Sequence, residues 1–364
     1  MSRPTAYRKS KWIIVIVLLL VVILLVNLNS APQFIEHFYS EGLYKAISSP
    51  LHLLFGWLPL SIGDLIYITV VCWLIYALLR IIYLLVKGRF KLAGSLVLTI
   101  IIGIETGIAA FYLFWGLNYF RPSAAERLDL QDTSYTIKDV EAVTHMIIDS
   151  ANANRNALTA ADLLQPNSAI YATSTNAIKA LSVTSAAFNI FMPAVKPSLI
   201  SPLMNYLSTS GYYNPFTGEA QINYQMPVFD RPFTACHEMS HQIGFGREDE
   251  ANFVGYLAAI RSKERLLKYS AYYEGSIEFL RYVRRRDTVM HHQLKALLNP
   301  GVRQDLKTDS AYWVGYAGQI GLMSGKFYDS FLKANNQPAG LRTYNRMIRL
   351  TMAFYRKNAI VHSR

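Results

Sequence analysis

The stretch PFTACHEMSHQIGFGREDEAN, residues 232–252, decides how the rest of the chain is read. Its centre is His237-Glu238-Met239-Ser240-His241. On a helix, positions i and i+4 lie on one face, so both imidazoles can aim at one point. Glu238 sits beside the first of them, close to that point without serving as a ligand. Two imidazoles, an added carboxylate and one open position are the ligand set of a catalytic zinc ion. The glutamate is then the general base for the attacking water. Phe233, Ala235, Met239, Ile243 and Phe245 predict a buried helix. A buried polar trio needs partners, because an unpartnered buried polar group is costly.

Gly244 and Gly246 predict a tight turn after this helix. A second apolar-periodic helix begins near Arg247 and runs through Phe253, Val254, Tyr256, Leu257 and Ile260. Acidic residues crowd its first turn, as a helix N-terminus favours. The third ligand is expected from that turn, where Glu248 and Glu250 both qualify. The string Glu248-x-x-Ala251-Asn252 resembles the E-x-x-A-[DN] element of glutamate-type zincin peptidases. That resemblance implies Glu248 as the ligand and Asn252 as a support for a ligand histidine. Only six residues separate His241 from Glu248, far fewer than in most of that group. His241-x-x-Gly244-x-x-Arg247 resembles the short metzincin layout, with Arg247 at the place of a histidine. Arginine stays protonated and cannot bind metal. Glu250 therefore stays open as the alternative ligand. His291 and His292, in a polar stretch further on, are weaker choices than these nearer carboxylates.

Before the motif helix, Glu219, Ala220, Gln221, Ile222 and Asn223 alternate with period two, a strand signal. In zincin peptidases an edge strand above the active-site helix pairs with extended substrate, and these five residues are expected to fill that role. Tyr312, Tyr316, Tyr328 and Tyr344 are candidates to donate a hydrogen bond to a tetrahedral oxyanion.

Hydrophobic residues make up 52% of the 364 and charged residues only 16%, an apolar balance for a soluble chain. Trp12 to Val26 is unbroken apolar sequence behind a basic N-terminus. Leu65 extends to Val86 past Arg80, whose long side chain can snorkel to the boundary. Leu92 to Trp115 is interrupted only by Glu105, expected as a protonated or hydrogen-bonded glutamate facing Thr69 or Tyr67. Three spans are therefore expected near residues 12–28, 65–86 and 92–115, within an anchor of residues 1–120. Leu51 to Leu60 is too short to span and is expected at the interface. Trp115, Tyr119 and Phe120 sit where an aromatic belt belongs. The basic N-terminus and the Lys87, Arg89, Lys91 cluster place both segments in the cytoplasm, so residues 121–364 form an extracytoplasmic domain, periplasmic or extracellular.

The net charge is +12, with +5 in residues 1–120 and +7 in the remainder. That spread suits a lipid bilayer as partner. No nucleic-acid motif occurs, and nucleic acid is not an expected partner. Cys72 and Cys236 make no disulfide framework. In the outer domain, Thr136-x-x-Asp139 predicts a capped helix reaching about Ala153.

Four segments together resemble a bacterial family of uncharacterised membrane proteins with a zincin-like domain. They are Trp115 to Arg121, Gly211 to Asn223 with its Pro-Phe-Thr-Gly-Glu core, the motif through Asn252, and Tyr328 to Asn335. The resemblance implies a three-span anchor and a metallopeptidase domain, and it implies no substrate. The expected fold is an α-helical transmembrane anchor plus an α+β zincin-like metallopeptidase domain, mostly helical with a small sheet. The expected function is a membrane-anchored zinc-dependent endopeptidase, or related amide hydrolase, acting on envelope proteins or peptides. The rival reading is a non-catalytic envelope binding protein with a structural or vestigial metal site. A site within the bilayer conflicts with Asp230, Arg231 and the charged run from Arg247 to Glu250.

Overall fold

The structure, a computed structural model, describes residues 3–131, 134–340 and 347–358. It is mostly helical and divides into two compact units. The first comprises Met1–Ser48, Ile62–Arg121 and Pro215–Thr217, and the second Ser49–Ser61, Pro122–Asn214 and Gly218–Arg364. The α-helices of nine residues or more are numbered in chain order.

In the first unit, α1 (Arg3–Asn27), α3 (Ile62–Val86) and α4 (Phe90–Phe114) carry three segments long and apolar enough to cross a membrane: Lys9–Ser30, Ile62–Val86 and Phe90–Phe114. The chain is a membrane protein on that ground. α1 packs along α4, and the Lys11 Nζ donates to Ser95 O at 2.9 Å and Thr99 Oγ1 at 2.6 Å. Two expectations fail in this unit. Trp115, Tyr119 and Phe120 do not form an outward belt. A 3₁₀ turn over Gly116–Phe120 folds them inward, where Trp115 meets Tyr119 edge-on and Phe120 stacks on Tyr112. All three are buried. Glu105 bonds neither Thr69 nor Tyr67: Thr69 donates to Leu65 O within its own helix, and Tyr67 packs on Phe216.

α2 (Tyr44–Phe55) begins in the first unit, but its end, with the following turn, belongs to the second. There the carbonyls of Phe55 and Leu60 accept from Lys196 Nζ at 2.8 and 3.3 Å. Residues 51–60, expected at the membrane interface, are thus tied to strand β1 (Val195–Pro197).

The second unit builds on α5 (Ile137–Ala157), α6 (Asn167–Ser182), a small sheet, α7 (Arg231–Gln242), α8 (Glu248–Ile260) and α9 (Arg265–Arg284). α10 (Thr288–Ala296), α11 (Pro300–Tyr316), α12 (Gln319–Ala334) and α13 (Met347–Lys357) follow. α5 starts at the predicted capping box between Thr136 and Asp139. It buries Val140, Val143, Ile147, Ile148 and Ala151 against α9. That spacing is one apolar helix face.

The sheet joins β1 to β3 (Glu219–Ile222) in parallel and β3 to β2 (Gly211–Asn214) antiparallel. Val195 lies opposite Ala220 and Gly211 opposite Ile222. This corrects the expected substrate strand. Glu219, Ala220, Gln221 and Ile222 form the central strand, with a ladder on each side and no edge to offer. Both faces are covered as well: Glu219 pairs with Lys196 at 2.7 Å, and the Asn223 Nδ2 donates to Asn205 Oδ1 at 2.6 Å. The edge on this side is β2.

Candidate metal centre

α7 is the buried axis of the second unit, packed by α6, α8, α9 and the sheet. Its start explains how a helix survives there. Pro232 has no N–H to satisfy, and the Phe233 N–H donates to Ser270 Oγ of α9 at 3.0 Å. Its end is a Schellman turn. Gly244 takes φ +95°, its N–H reaches His241 O at 3.0 Å, and the Phe245 N–H reaches Ser240 O at 3.2 Å. That turn swings the Phe245 carbonyl back onto His241 Nδ1 at 2.7 Å. The Nδ1–H therefore donates to Phe245 O, and the Nε2 lone pair is left facing outward from the helix.

What it faces is Glu248. The Glu248 Oε2 lies 3.6 Å from His241 Nε2 and 3.3 Å from His237 Nε2. The other carboxylate oxygen accepts from the Tyr328 hydroxyl of α12 at 2.7 Å, and the Glu248 N–H donates to Gln337 Oε1 at 3.2 Å. Burial would push the Glu248 carboxyl up, but the two imidazoles outweigh it and hold it well below the usual carboxylate range. Burial would likewise lower His241, yet Glu248 and Glu238 hold it up at about 9. These shifts describe a carboxylate and an imidazole sharing a proton at a place where a cation could bind. The donor set fits zinc: two imidazole nitrogens and one carboxylate oxygen converge, and one imidazole has its tautomer fixed by a backbone carbonyl.

Glu238 completes the group. One ligand atom each from His237, Glu238 and His241 lies within 4.8 Å of the others. Its Oε2 is buried with no hydrogen-bond partner among the described residues. Burial raises its carboxyl to about 7, the neighbouring imidazoles opposing and Glu248 adding to the rise. Gly211 of β2 lies against it: a Cβ there would stand 2.6 Å from Glu238 Oε1 and 2.8 Å from its Cγ. Only a glycine lets this strand approach the carboxylate so closely.

Glu250 points elsewhere. Its Oε1 accepts from the Ala124 N–H at 2.8 Å, and its Oε2 pairs with Arg127 at 3.1 Å. Arg127 in turn lies over the Phe245 ring. Asn252 is buried one turn beyond Glu248 and makes no side-chain hydrogen bond among the described residues, so the expected support of a ligand histidine is not formed. Of the four tyrosines, Tyr328 reaches the site. Tyr312 donates to Asn205 Oδ1, Tyr316 packs on Tyr206, and Tyr344 falls outside the described residues. His291 belongs to α10, where its Nδ1 meets Leu280 O. Cys236 is buried, which pushes its thiol up to about 12 and leaves it unreactive. Gln337 and the edge position of β2 have no counterpart in the sequence reading. Gly211 falls in a turn-rich stretch whose glycines mark close backbone approach as readily as turns.

No curated protein and no solved structure matches the chain. Residues 39–352 match the family described as protein of unknown function (DUF3810), and the chain belongs to that family.

Proposed function

We propose that this protein is a membrane-anchored zinc-dependent peptidase, with His237, His241 and Glu248 as the ligands and Glu238 as the general base. The observation that carries the reading is the contact of one Glu248 oxygen with both Nε2 atoms, beside a second carboxylate that is buried and unpartnered. Bound there, a zinc ion supplies a Lewis acid and lowers the pKa of water towards about 7. Glu238 takes the proton from the attacking water and returns it to the leaving amine. A carboxyl held near neutrality suits both transfers. Tyr328 orients the Glu248 carboxylate through its hydroxyl. Strand β2 replaces β3 as the strand that takes extended peptide, because it is the end strand of the sheet among the described residues and Gly211 sets it against Glu238. The basic residues flanking the apolar helices favour an extracytoplasmic domain, so envelope proteins or peptides are the substrates within reach.

The test compares the purified full chain with Glu238→Gln and His241→Ala. Near-stoichiometric zinc is expected in the parent and in Glu238→Gln, and its loss in His241→Ala. Hydrolysis of a mixed peptide library should vanish in both variants. Hydrolysis surviving in Glu238→Gln sinks the mechanism. Zinc without any hydrolysis in the parent favours the binding-protein reading.

A further inference from the structure

Helices α9, α10 and α11 line an open cleft of about 700 Å³ that holds none of the residues described above as the metal centre. Five of its lining residues are cations: Arg281 and Arg284 from α9, Lys295 from α10, Arg303 and Lys307 from α11. Arg281 is paired with Glu278 on its own helix. The other four make no ion pair among the described residues. Its apolar floor is formed by Ile277, Leu280 and Leu306, and Val314, 70% exposed, also lines it. The volume falls in the range of small-molecule sites.

Two features separate this cleft from a solvated helix end. The first is convergence. Arg281 is neutralised by Glu278, Glu274 and Asp309, but Arg284, Lys295 and the α11 pair Arg303 and Lys307 line the same space from three helices, and like charges held together repel unless an anion sits between them. His291 also lines the cleft, where burial, with smaller contributions from Lys295, His292 and Arg284, lowers it from the ordinary histidine value, and its Nδ1 meets Leu280 O at 3.1 Å. The second is the pairing of charge with an apolar floor. Arginine forks match phosphate oxygens in plane and spacing. A wholly polar anion would leave Leu280, Leu306 and Val314 facing water or ligand oxygens, whereas a ligand with a hydrocarbon portion covers them.

We propose that this cleft binds an anionic phospholipid, the cations holding the phosphate-bearing headgroup and the apolar floor holding the first acyl carbons. The occupant is at hand, because the same chain carries three helices able to cross a bilayer. Each Lys or Arg beside an anionic lipid strengthens binding by about fivefold. Removing Arg284 and Arg303 together should therefore weaken it by roughly thirtyfold.

The experiment uses the full chain in a non-ionic detergent, with binding read by native mass spectrometry. The probes are dioctanoyl phosphatidylglycerol, dioctanoyl phosphatidylcholine, inorganic phosphate and a short polyglutamate peptide. Arg284→Gln/Arg303→Gln is compared with Lys138→Gln/Lys179→Gln, which removes the same charge from exposed positions outside the cleft. Saturable binding of the phosphatidylglycerol, at least tenfold tighter than the phosphatidylcholine, and a roughly thirtyfold loss confined to the cleft pair bear the proposal out. Equal binding of the two lipids overturns it, as does an unchanged affinity in the cleft pair. Displacement of the lipid by equimolar inorganic phosphate, or by a short polyglutamate peptide, also overturns it and makes the cleft a simple anion site.

Discussion

Glu248 and Glu250 stand two residues apart, and replacing each with glutamine should split metal affinity from stability. Glutamine keeps the shape of either side chain and removes its charge. At Glu248 the charge lies 3.3 and 3.6 Å from two imidazoles. Losing a hydrogen bond that merely supports a ligand weakens metal binding by about 10–100-fold, so losing one of three ligands should weaken it by about 100-fold or more. At Glu250 the charge serves Arg127, 3.1 Å away, and both side chains are only 6% exposed. Removing one partner of such a pair costs about 3–5 kcal/mol, because the other is left buried and uncompensated. The lower figure applies here, since glutamine still accepts from the Ala124 N–H and the Phe245 ring still lies under the guanidinium. At about 2–4 °C per kcal/mol for a domain of this size, the midpoint should fall by roughly 6–12 °C. Metal is measured after dialysis against a weak chelator. Melting is followed in excess strong chelator, so that metal binding does not enter the midpoint. The expected outcome is that Glu248→Gln loses metal, whereas Glu250→Gln keeps metal and melts early. Metal lost from Glu250→Gln but retained by Glu248→Gln would refute the assignment, and metal retained by both would exclude the site.

Three further substitutions follow from the same geometry. Gly211→Ala places a methyl 2.6 Å from Glu238 Oε1 and 2.9 Å from the Gln221 carbonyl, so the flexible carboxylate yields by several tenths of an ångström. Peptide hydrolysis should drop about 100-fold with metal content unchanged, and full activity would count against Glu238 as the base. Tyr328→Phe removes the hydroxyl that bonds Glu248 Oε1. Zinc affinity, read by competition with a chromophoric chelator, should fall by about 10–100-fold, and an unchanged value would show that the carboxylate is oriented by other means. Asp230, Glu274 and Asp309 form an acidic group at the start of α7, and burial raises all three carboxyls, Glu274 to about 8. The unfolded chain releases these protons near pH 4–4.5, whereas the folded state keeps them to higher pH. Stability should therefore fall as pH rises from about 4.5 towards 8 and then level off. Glu274→Gln should flatten that slope, as read by the melting midpoint of chelator-treated protein; a parent midpoint that does not change between pH 5 and 8 contradicts the argument.

How much of this was legible depends on how local the cause is. The spans at Ile62–Val86 and Phe90–Phe114 lie within three residues of the expected bounds, because crossing a bilayer demands an apolar run that no distant partner can replace. The capping box at Thr136 and Asp139 is equally local. The break between α7 and α8 is too, since a left-handed turn is cheapest at a glycine, here Gly244. β3 was misplaced for the opposite reason. Period-two alternation reports how the faces of a strand are buried, not whether its edges are paired. Its central position depends on β1, more than twenty residues earlier, where Lys196 meets Glu219. The aromatic residues after α4 failed likewise: composition places rings at the end of a span, but the 3₁₀ turn decides which way they fold.

The third ligand lies between these extremes. Successive helical residues are rotated by about 100°, so positions 248 and 250 differ by about 200° and face opposite ways. One of them must look at α7 and the other away from it, and Glu250 is claimed on its far side by Ala124 and Arg127, more than a hundred residues earlier. No local rule reveals that partner. The sequence nonetheless carries a signal that separates the two. Gly255 falls seven residues after Glu248, on the same face of α8. A Cβ at Gly255 would stand 2.9 Å from the His237 backbone nitrogen, so the two helices approach closely here. A helix face that carries glycine two turns beyond a glutamate is the face that can pack tightly on a neighbour. Glu248 shares that face and Glu250 does not. The close approach of α8 to α7 at Gly255, rather than the E-x-x-A-N string, is what brings the carboxylate to the histidines.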